Sequence, residues 1–310
     1  MKRCLVTGGA GFIGSHLVRG LLDAGYFVRV IDNLSTGSIK NLDEILSDIE
    51  FLPQDMRNYN SCLKACDNVD YVFHEGAIPS VPKSIDDPVN TFTNGIDVTH
   101  NMLMASVEKK VSKFIFASSS SVYGANKAVI KVESLPLLPV SPYASSKAAA
   151  EMYLLSFYKS FGLESIGLRY FNVFGSRQNP TSQYAAVIAS FCHRMINGMN
   201  PIVYGDGTQS RDFTYIDNVV NANMLAMDSK LDGCSVNIGC NNNISLNDIV
   251  SDINEILETN LEAVYEPVRQ GDVQSTHADI SLAGRLIGYT PVVDFKDGLS
   301  KTLEWYRNNK

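Results

Sequence analysis

The sequence predicts an α/β protein: a doubly wound parallel sheet with a smaller C-terminal lobe. Three observations carry this. Short apolar runs alternate with helical segments through the first half of the 310-residue chain. A glycine cluster, "TGGAGFIG", lies at the first junction of run and helix. After Asn172 the texture changes to shorter elements and more turns. Strand and helix in alternation imply parallel strands, because a parallel pair needs a long crossover that covers the sheet faces.

"CLVTG" (4–8) reads as a buried strand and "FIGSHLVRGLLDAG" (12–25) as a helix ended by Gly25. "FVRVID" (27–32), "IEFLPQD" (49–55), "DYVFHEGA" (70–77) and "KFIFASS" (113–119) are the next strands. A long helix runs from Pro142 to about Phe161, and "ESIGLRYFN" (164–172) returns as a strand. In such sheets ligands bind beyond the carboxyl ends of the strands. Gly8, Asp32, Asp55, Ala77, Ser119 and Asn172 fall there. "GSRQNPTSQ" (175–183) is a polar loop, while "YGDGTQ" (204–209) and "GCNNN" (239–243) mark turns of the smaller lobe. The expected division is residues 1–172 plus about 212–240 for one domain, and about 173–211 and 241–310 for the lobe.

A chain that is 45% hydrophobic and 19% charged, with formal charge −7, has an ordinary globular composition. The acidic balance argues against a nucleic-acid partner. No apolar run approaches the roughly 18–20 residues of a membrane span. Glycines interrupt the apolar opening at once, so no signal peptide is expected. Six scattered cysteines read as reduced thiols, which points to the cytoplasm. No metal is expected: the histidines lack ligand spacing, and Cys62 and Cys66 read as one helix face.

The glycine cluster lets the chain turn tightly, brings backbone close to a pyrophosphate and packs a helix against the sheet, as in the Rossmann motif. The phosphate then meets free N–H groups at the helix N-terminus. Glycine-rich turns also occur for steric reasons alone. Here both flanking elements are present, with Asp32 near the roughly 20-residue offset of a ribose-binding carboxylate. An acid there repels a 2′-phosphate, so NAD is favoured over NADP.

In "SPYASSK" (141–147), Ser141 is an N-cap candidate and Pro142 suits the first helical position. Tyr143 and Lys147 are one helical turn apart and share a face. An ammonium beside a phenol lowers its pKa from about 10 towards neutrality and makes a general base. The same spacing is common on ordinary helix faces. "SSSSVYG" (118–124) raises its significance, because a serine ending the preceding strand could bind the same substrate oxygen.

These motifs, with "LRYFNVFG" (168–175), "SRDFTYIDNV" (210–219) and "RQGDV" (269–273), resemble over nearly the whole chain the extended short-chain dehydrogenases/reductases of the UDP-galactose 4-epimerase type. "LRYFNVFGSRQ" and "YAAVI" (184–188) are most similar to bacterial UDP-N-acetylglucosamine 4-epimerases. The resemblance implies that Tyr143 removes the proton of the sugar 4-OH, that Lys147 tunes it and holds the nicotinamide ribose, and that Ser119 bonds the 4-oxygen. It implies NAD contacts at Gly8, Gly11, Phe12, Ile13, Gly14, Asp32, Asn33, Ser35, Thr36, Gly37, Asp55, Met56, Gly76, Ala77, Tyr143, Lys147 and Phe171. It places the UDP-sugar against Ser80, Val81, Ser119, Ser120, Tyr143, Asn172, Ala186, Val187, Val203, Tyr204, Arg211, Arg269, Asp272 and Thr276. Paired arginines suit a pyrophosphate on an acidic protein.

In related dehydratases and decarboxylases acids precede "VYG"; here Ser120 and Ser121 stand in that place. The implied reaction is oxidation at C4, rotation of the intermediate and hydride return to the opposite face, with NAD tightly bound and regenerated each cycle. Thr276 occupies the position that limits room at the sugar 2-substituent. A small residue there favours UDP-GlcNAc/UDP-GalNAc, with UDP-Glc/UDP-Gal as a further pair. Alternatives are a uronate 4-epimerase using Lys83 or Arg177, a net nucleotide-sugar oxidoreductase, and a non-catalytic nucleotide-binding scaffold. Two departures stand out. Counting back from Asn101 puts Gly95 and Val98 where the family has Asn and Gly, and Asn94 is one step off. Glu75 replaces an apolar or neutral residue. The resemblance also implies a homodimer through helices at about 96–110 and 142–161, with Met102, Leu103, Tyr153 and Leu154 as apolar candidates that a monomer could equally bury.

Overall fold

The computed structural model describes residues 2–180, 186–268 and 275–309. A seven-stranded sheet forms its centre. We number its strands β1 (Arg3–Thr7), β2 (Phe27–Ile31), β3 (Glu50–Leu52), β4 (Tyr71–His74), β5 (Lys113–Ser119), β6 (Glu164–Tyr170) and β7 (Cys234–Ile238). They lie in the order β7-β6-β5-β4-β1-β2-β3, every pair parallel. The strand order reverses between β1 and β4, which opens a crevice at their carboxyl ends.

The helices are α1 (Phe12–Asp23), α2 (Tyr59–Ala65), α3 (Val81–Asp86), α4 (Pro88–Phe92), α5 (Val98–Glu108), α6 (Pro142–Phe161), α7 (Val187–Ile196), α8 (Ile216–Asp228), α9 (Leu246–Leu257), α10 (Ser281–Ile287) and α11 (Phe295–Asn308). Their ends follow local chemistry. Past α1, Gly25 adopts φ +80°, and past α6, Gly162 adopts φ +72°, a region that costs glycine little. The Ser141 side chain caps α6 by accepting from the Ala144 amide, with Pro142 next in line.

Alternation along the strands divides the core. Cys4 and Val6 of β1 join α1 and α8 in one cluster, while Leu5 between them joins α2, α5 and α6 on the other face. Met102, Leu103 and Leu154 are fully buried in this second cluster, so the monomer itself covers three of the four apolar residues considered for a dimer contact. Tyr153 is exposed, as are Met152 and Phe161 on the same helix.

The doubly wound parallel sheet read from the sequence is present. The expected strands at 49–55 and 70–77 are shorter, at Glu50–Leu52 and Tyr71–His74. Beyond β6, strands 210–211, 244–245 and 275–278 form a small sheet with strand 130–131, which the chain contributes from its first half. No helix among the described residues is long and apolar enough to cross a membrane.

Candidate active site

A cleft of about 560 Å³ runs along the carboxyl ends of β1, β2, β4 and β5. Its floor is the turn from β1 into α1. Gly8 has φ +66°, and a Cβ there would lie 2.7 Å from the Gly76 Cα. At Gly14 a Cβ would lie 2.3 Å from the Gly8 carbonyl oxygen. Glycine is therefore required for α1 to approach β1 and aim its free N–H groups into the cleft. Asp32 follows β2 and is 6% exposed. Its Oδ2 accepts from the Ala10 amide at 3.0 Å and its Oδ1 from the Leu34 amide at 2.7 Å, which ties the glycine turn to the segment after β2. Asn33 donates to Asp55, and the Arg57 guanidinium holds the Asp55 carboxyl down to about 2.

These residues fit a dinucleotide: glycine-lined backbone for the pyrophosphate, a fixed carboxylate for an adenosine ribose and Met56 beyond it. Gly8, Gly11, Phe12, Ile13, Gly14, Asp32, Asn33, Ser35, Thr36, Gly37, Asp55, Met56, Gly76 and Ala77 all line the one cleft, as do Tyr143 and Lys147. Phe171 does not; its ring is buried with Val122 and Tyr123 in a separate small cluster.

The far end of the cleft holds the candidate reacting groups. Ser119 lies beside Tyr143 and favours its ionised form, and the Ser119 hydroxyl accepts from the Ser121 amide and hydroxyl. Lys147 is 6% exposed, and its Nζ donates to the Ala117 carbonyl at 2.6 Å. Burial brings the ammonium down to about 8, against the pull of Glu75 and Glu151. The expectation that Lys147 draws the Tyr143 phenol towards neutrality is not met in this arrangement. Burial raises the phenol, the neighbouring Ser119 opposes the rise, and Glu75 adds to it. Lys147 Nζ stands 5.9 Å from the ring centroid and spends its short bond on the sheet, not on the phenol oxygen.

The serine run divides its labour. Ser118 donates to Glu151, which pairs with Arg169 in the core. Ser119 serves Tyr143. The tyrosine of the same stretch, Tyr123, accepts from Arg169 and donates to Asn237, so it is structural.

Of the expected substrate contacts, Ser80 and Ala186 line this cleft. Val81 opens α3, Val187 opens α7, and Tyr204 ends strand 202–204; none of the three is among the lining residues. Val203 is fully buried in the core. Arg211 and Thr276 are neighbours in the small sheet, and Asn172 holds the Asp212 carbonyl beside them. Ser120 opens the 3-10 turn after β5. Arg269 and Asp272 lie outside the described residues.

Several lining residues were not singled out beforehand as cofactor contacts, among them Asn41, Tyr170, Arg177 and Gln178. The "GSRQ" loop read as polar, with Arg177 considered only for a uronate carboxylate and not for the cofactor. Its signal is conformational, with Arg177 at φ +64°. Asn94 lines the cleft by way of a π-turn, Thr93–Asp97, set between α4 and α5. A π-turn accommodates one more residue than an α-turn. That is the local shift that carries Asn94 to the site despite its one-step offset. Gly95, where the family has asparagine, allows close packing: a Cβ there would lie 2.9 Å from Ser146 Oγ.

A dinucleotide cleft ending in a half-buried tyrosine and a buried lysine, with a serine beside them, defines an oxidoreductase of the short-chain dehydrogenase/reductase class. The chain belongs to the NAD dependent epimerase/dehydratase family, whose model matches residues 4–239. It is similar to the structure of UDP-N-acetylglucosamine 4-epimerase from Methanobrevibacter ruminantium in complex with UDP-N-acetylmuramic acid (39% identity, 100% of this chain and 99% of that one, TM-score 0.96). It is also similar to UDP-glucose 4-epimerase from Thermotoga maritima with UDP-glucose (37%, 99% of each chain, TM-score 0.94). A third likeness is UDP-glucuronic acid 4-epimerase from Bacillus cereus with UDP-glucuronic acid and NAD (34%, 99% and 100%, TM-score 0.91). The family is one of nucleotide-sugar epimerases and oxidoreductases, and NAD is its cofactor.

Proposed function

We propose that the protein is an NAD-dependent 4-epimerase of UDP-sugars, acting on UDP-GlcNAc/UDP-GalNAc and also on UDP-Glc/UDP-Gal. The observation that carries this reading is the placement of Tyr143 and Lys147 together in the cofactor cleft, with no acidic side chain in the turn Ser120–Tyr123 that follows β5. NAD, when bound, supplies a hydride acceptor and a positive charge that favours ionisation of a nearby phenol. Tyr143 takes the proton of the 4-hydroxyl as general base and returns it as general acid. Ser119 holds the 4-oxygen, and Lys147 keeps the phenol and the ribose in register. With no acid in the turn Ser120–Tyr123 to drive elimination, the 4-keto sugar leaves by rotation and reduction from the other face. Asn172, Arg211, Arg269 and Asp272 grip the nucleoside diphosphate while the sugar turns, the arginines meeting its phosphates. Thr276 leaves room for an acetamido group. The dinucleotide stays bound from cycle to cycle, and two copies associate through α5 and α6, with Tyr153 and Met152 in the contact.

A uronate substrate is the second reading. Lys83 and Arg177 line the cleft and could meet a C6 carboxylate. The test incubates purified protein with UDP-GlcNAc, UDP-Glc or UDP-glucuronate without added cofactor and resolves the C4 epimers. We expect conversion of UDP-GlcNAc, and Tyr143→Phe lowers it at least a thousandfold with the circular-dichroism spectrum unchanged. Conversion of UDP-glucuronate alone favours the second reading. Bound dinucleotide without turnover of any of the three overturns both.

A further inference from the structure

Glu75 follows β4 and lines the cleft beside the reacting end. Its placement is built. The Asn223 amide of α8 donates to the Tyr170 hydroxyl at 2.8 Å, and an amide nitrogen cannot accept in return. The Tyr170 proton is thereby aimed at Glu75 Oε1, 2.8 Å away. We propose that Glu75 is a positioning residue for the Tyr143–Lys147 pair, a carboxyl held by Tyr170 and Asn223 whose charge governs ionisation of the phenol and the ammonium.

Among the described residues, the groups facing it are few. From β6 comes Tyr170, and from α6 come Lys147 and Tyr143, both of which feel its charge. The α8 helix presents neutral Asn223. His74, one step back, bonds Thr7 and Thr99 and by strand alternation lies on the other face. Burial lifts the Glu75 carboxyl to about 7, against the Tyr170 bond and the Lys147 charge. Glu75 therefore changes charge near neutrality. Ionised, it secures Lys147 as ammonium and holds back the Tyr143 phenolate; neutral, it releases both.

The proposal rests on the reading of Tyr143 and Lys147 as the reacting pair. Its test is Glu75→Gln, which keeps the size and the acceptor for Tyr170 but removes the charge. Both limbs of the kcat/KM pH profile should move at least half a unit towards acid. Independently of turnover, the Tyr143 phenol, isolated by ultraviolet difference against Tyr143→Phe in each background, should ionise at lower pH. Tyr170→Phe, which removes the bond favouring the carboxylate, leaves Glu75 ionised where the phenol titrates and should move that titration less than Glu75→Gln does. If the Glu75→Gln titration and profile superimpose on those of the unsubstituted chain, Glu75 merely fills space and the proposal fails. Loss of turnover on all UDP-sugars with the phenol shift intact would sink the proposed function but not this role.

Discussion

A carboxylate as buried as Glu151, 2% exposed, is stable only because its partners are complete. Arg169 meets it in a fork at 2.9 and 2.7 Å, and Ser118 takes a further bond. Arg169→Met strands that charge, and the expected cost is about 3–5 kcal/mol, measured by urea unfolding. The double change Glu151→Leu with Arg169→Met should recover most of the loss, since replacing a buried pair by apolar groups is nearly neutral. A single variant within 1 kcal/mol of the parent chain would contradict the account. This network explains what was readable at the residue scale. Tyr143 and Lys147 were legible because a helix fixes the geometry of positions one turn apart. The roles of Ser118 and Tyr123 were not, because their partners Glu151, Arg169 and Asn237 come from α6, β6 and β7, and no local spacing announces them.

Among the elements, α1 is the one whose seating admits least tolerance. A methyl at Gly14 meets backbone on both sides, the Gly8 oxygen at 2.3 Å and the Gly9 Cα at 2.8 Å, and neither can swing away like a side chain. Gly14→Ala should therefore tilt the helix N-terminus out of the floor. Overpacking of this kind costs about 1–3 kcal/mol. The sharper consequence is for the ligand: NAD affinity, read by fluorescence titration, should fall at least tenfold. Gly25→Ala, where nothing lies within 4 Å of a Cβ, should leave affinity unchanged and carry only the penalty of its left-handed φ. Elements with strong periodicity and clear punctuation, such as α1 and α6, were readable from sequence for the same reason: their end signals are local. The π-turn at Thr93–Asp97 was visible only as a counting mismatch around Asn94. Its extra residue is stabilised by packing of Gly95 on Ser146 of α6, a contact between segments some fifty positions apart.

Over the whole molecule, the cleft draws its walls from Gly8 to Ala186 and so joins the glycine turn, the ends of β1, β2, β4 and β5, the π-turn, α6 and the loop after β6. The parallel order of the sheet forces this convergence, since every strand delivers its carboxyl end to the same edge. A ligand that spans the cleft then stabilises the fold as a unit. At a hundredfold excess over its Kd, NAD should add about 2.7 kcal/mol. With an unfolding entropy of about 2.1 cal/mol/K per residue, that raises the Tm by roughly 4 °C. Asp32 makes the effect selective. Its two oxygens are fixed by the Ala10 and Leu34 amides, so the carboxylate cannot turn away from a ribose phosphate without breaking the turn that holds α1. NADP at the same concentration should therefore raise the Tm by less than a quarter as much. Calorimetry on protein stripped of nucleotide and resupplied with either cofactor decides it. Equal shifts would mean that the 2′-position faces solvent beyond the reach of Asp32. An absence of any shift with NAD would mean that the cleft does not bind the dinucleotide for which its floor is shaped.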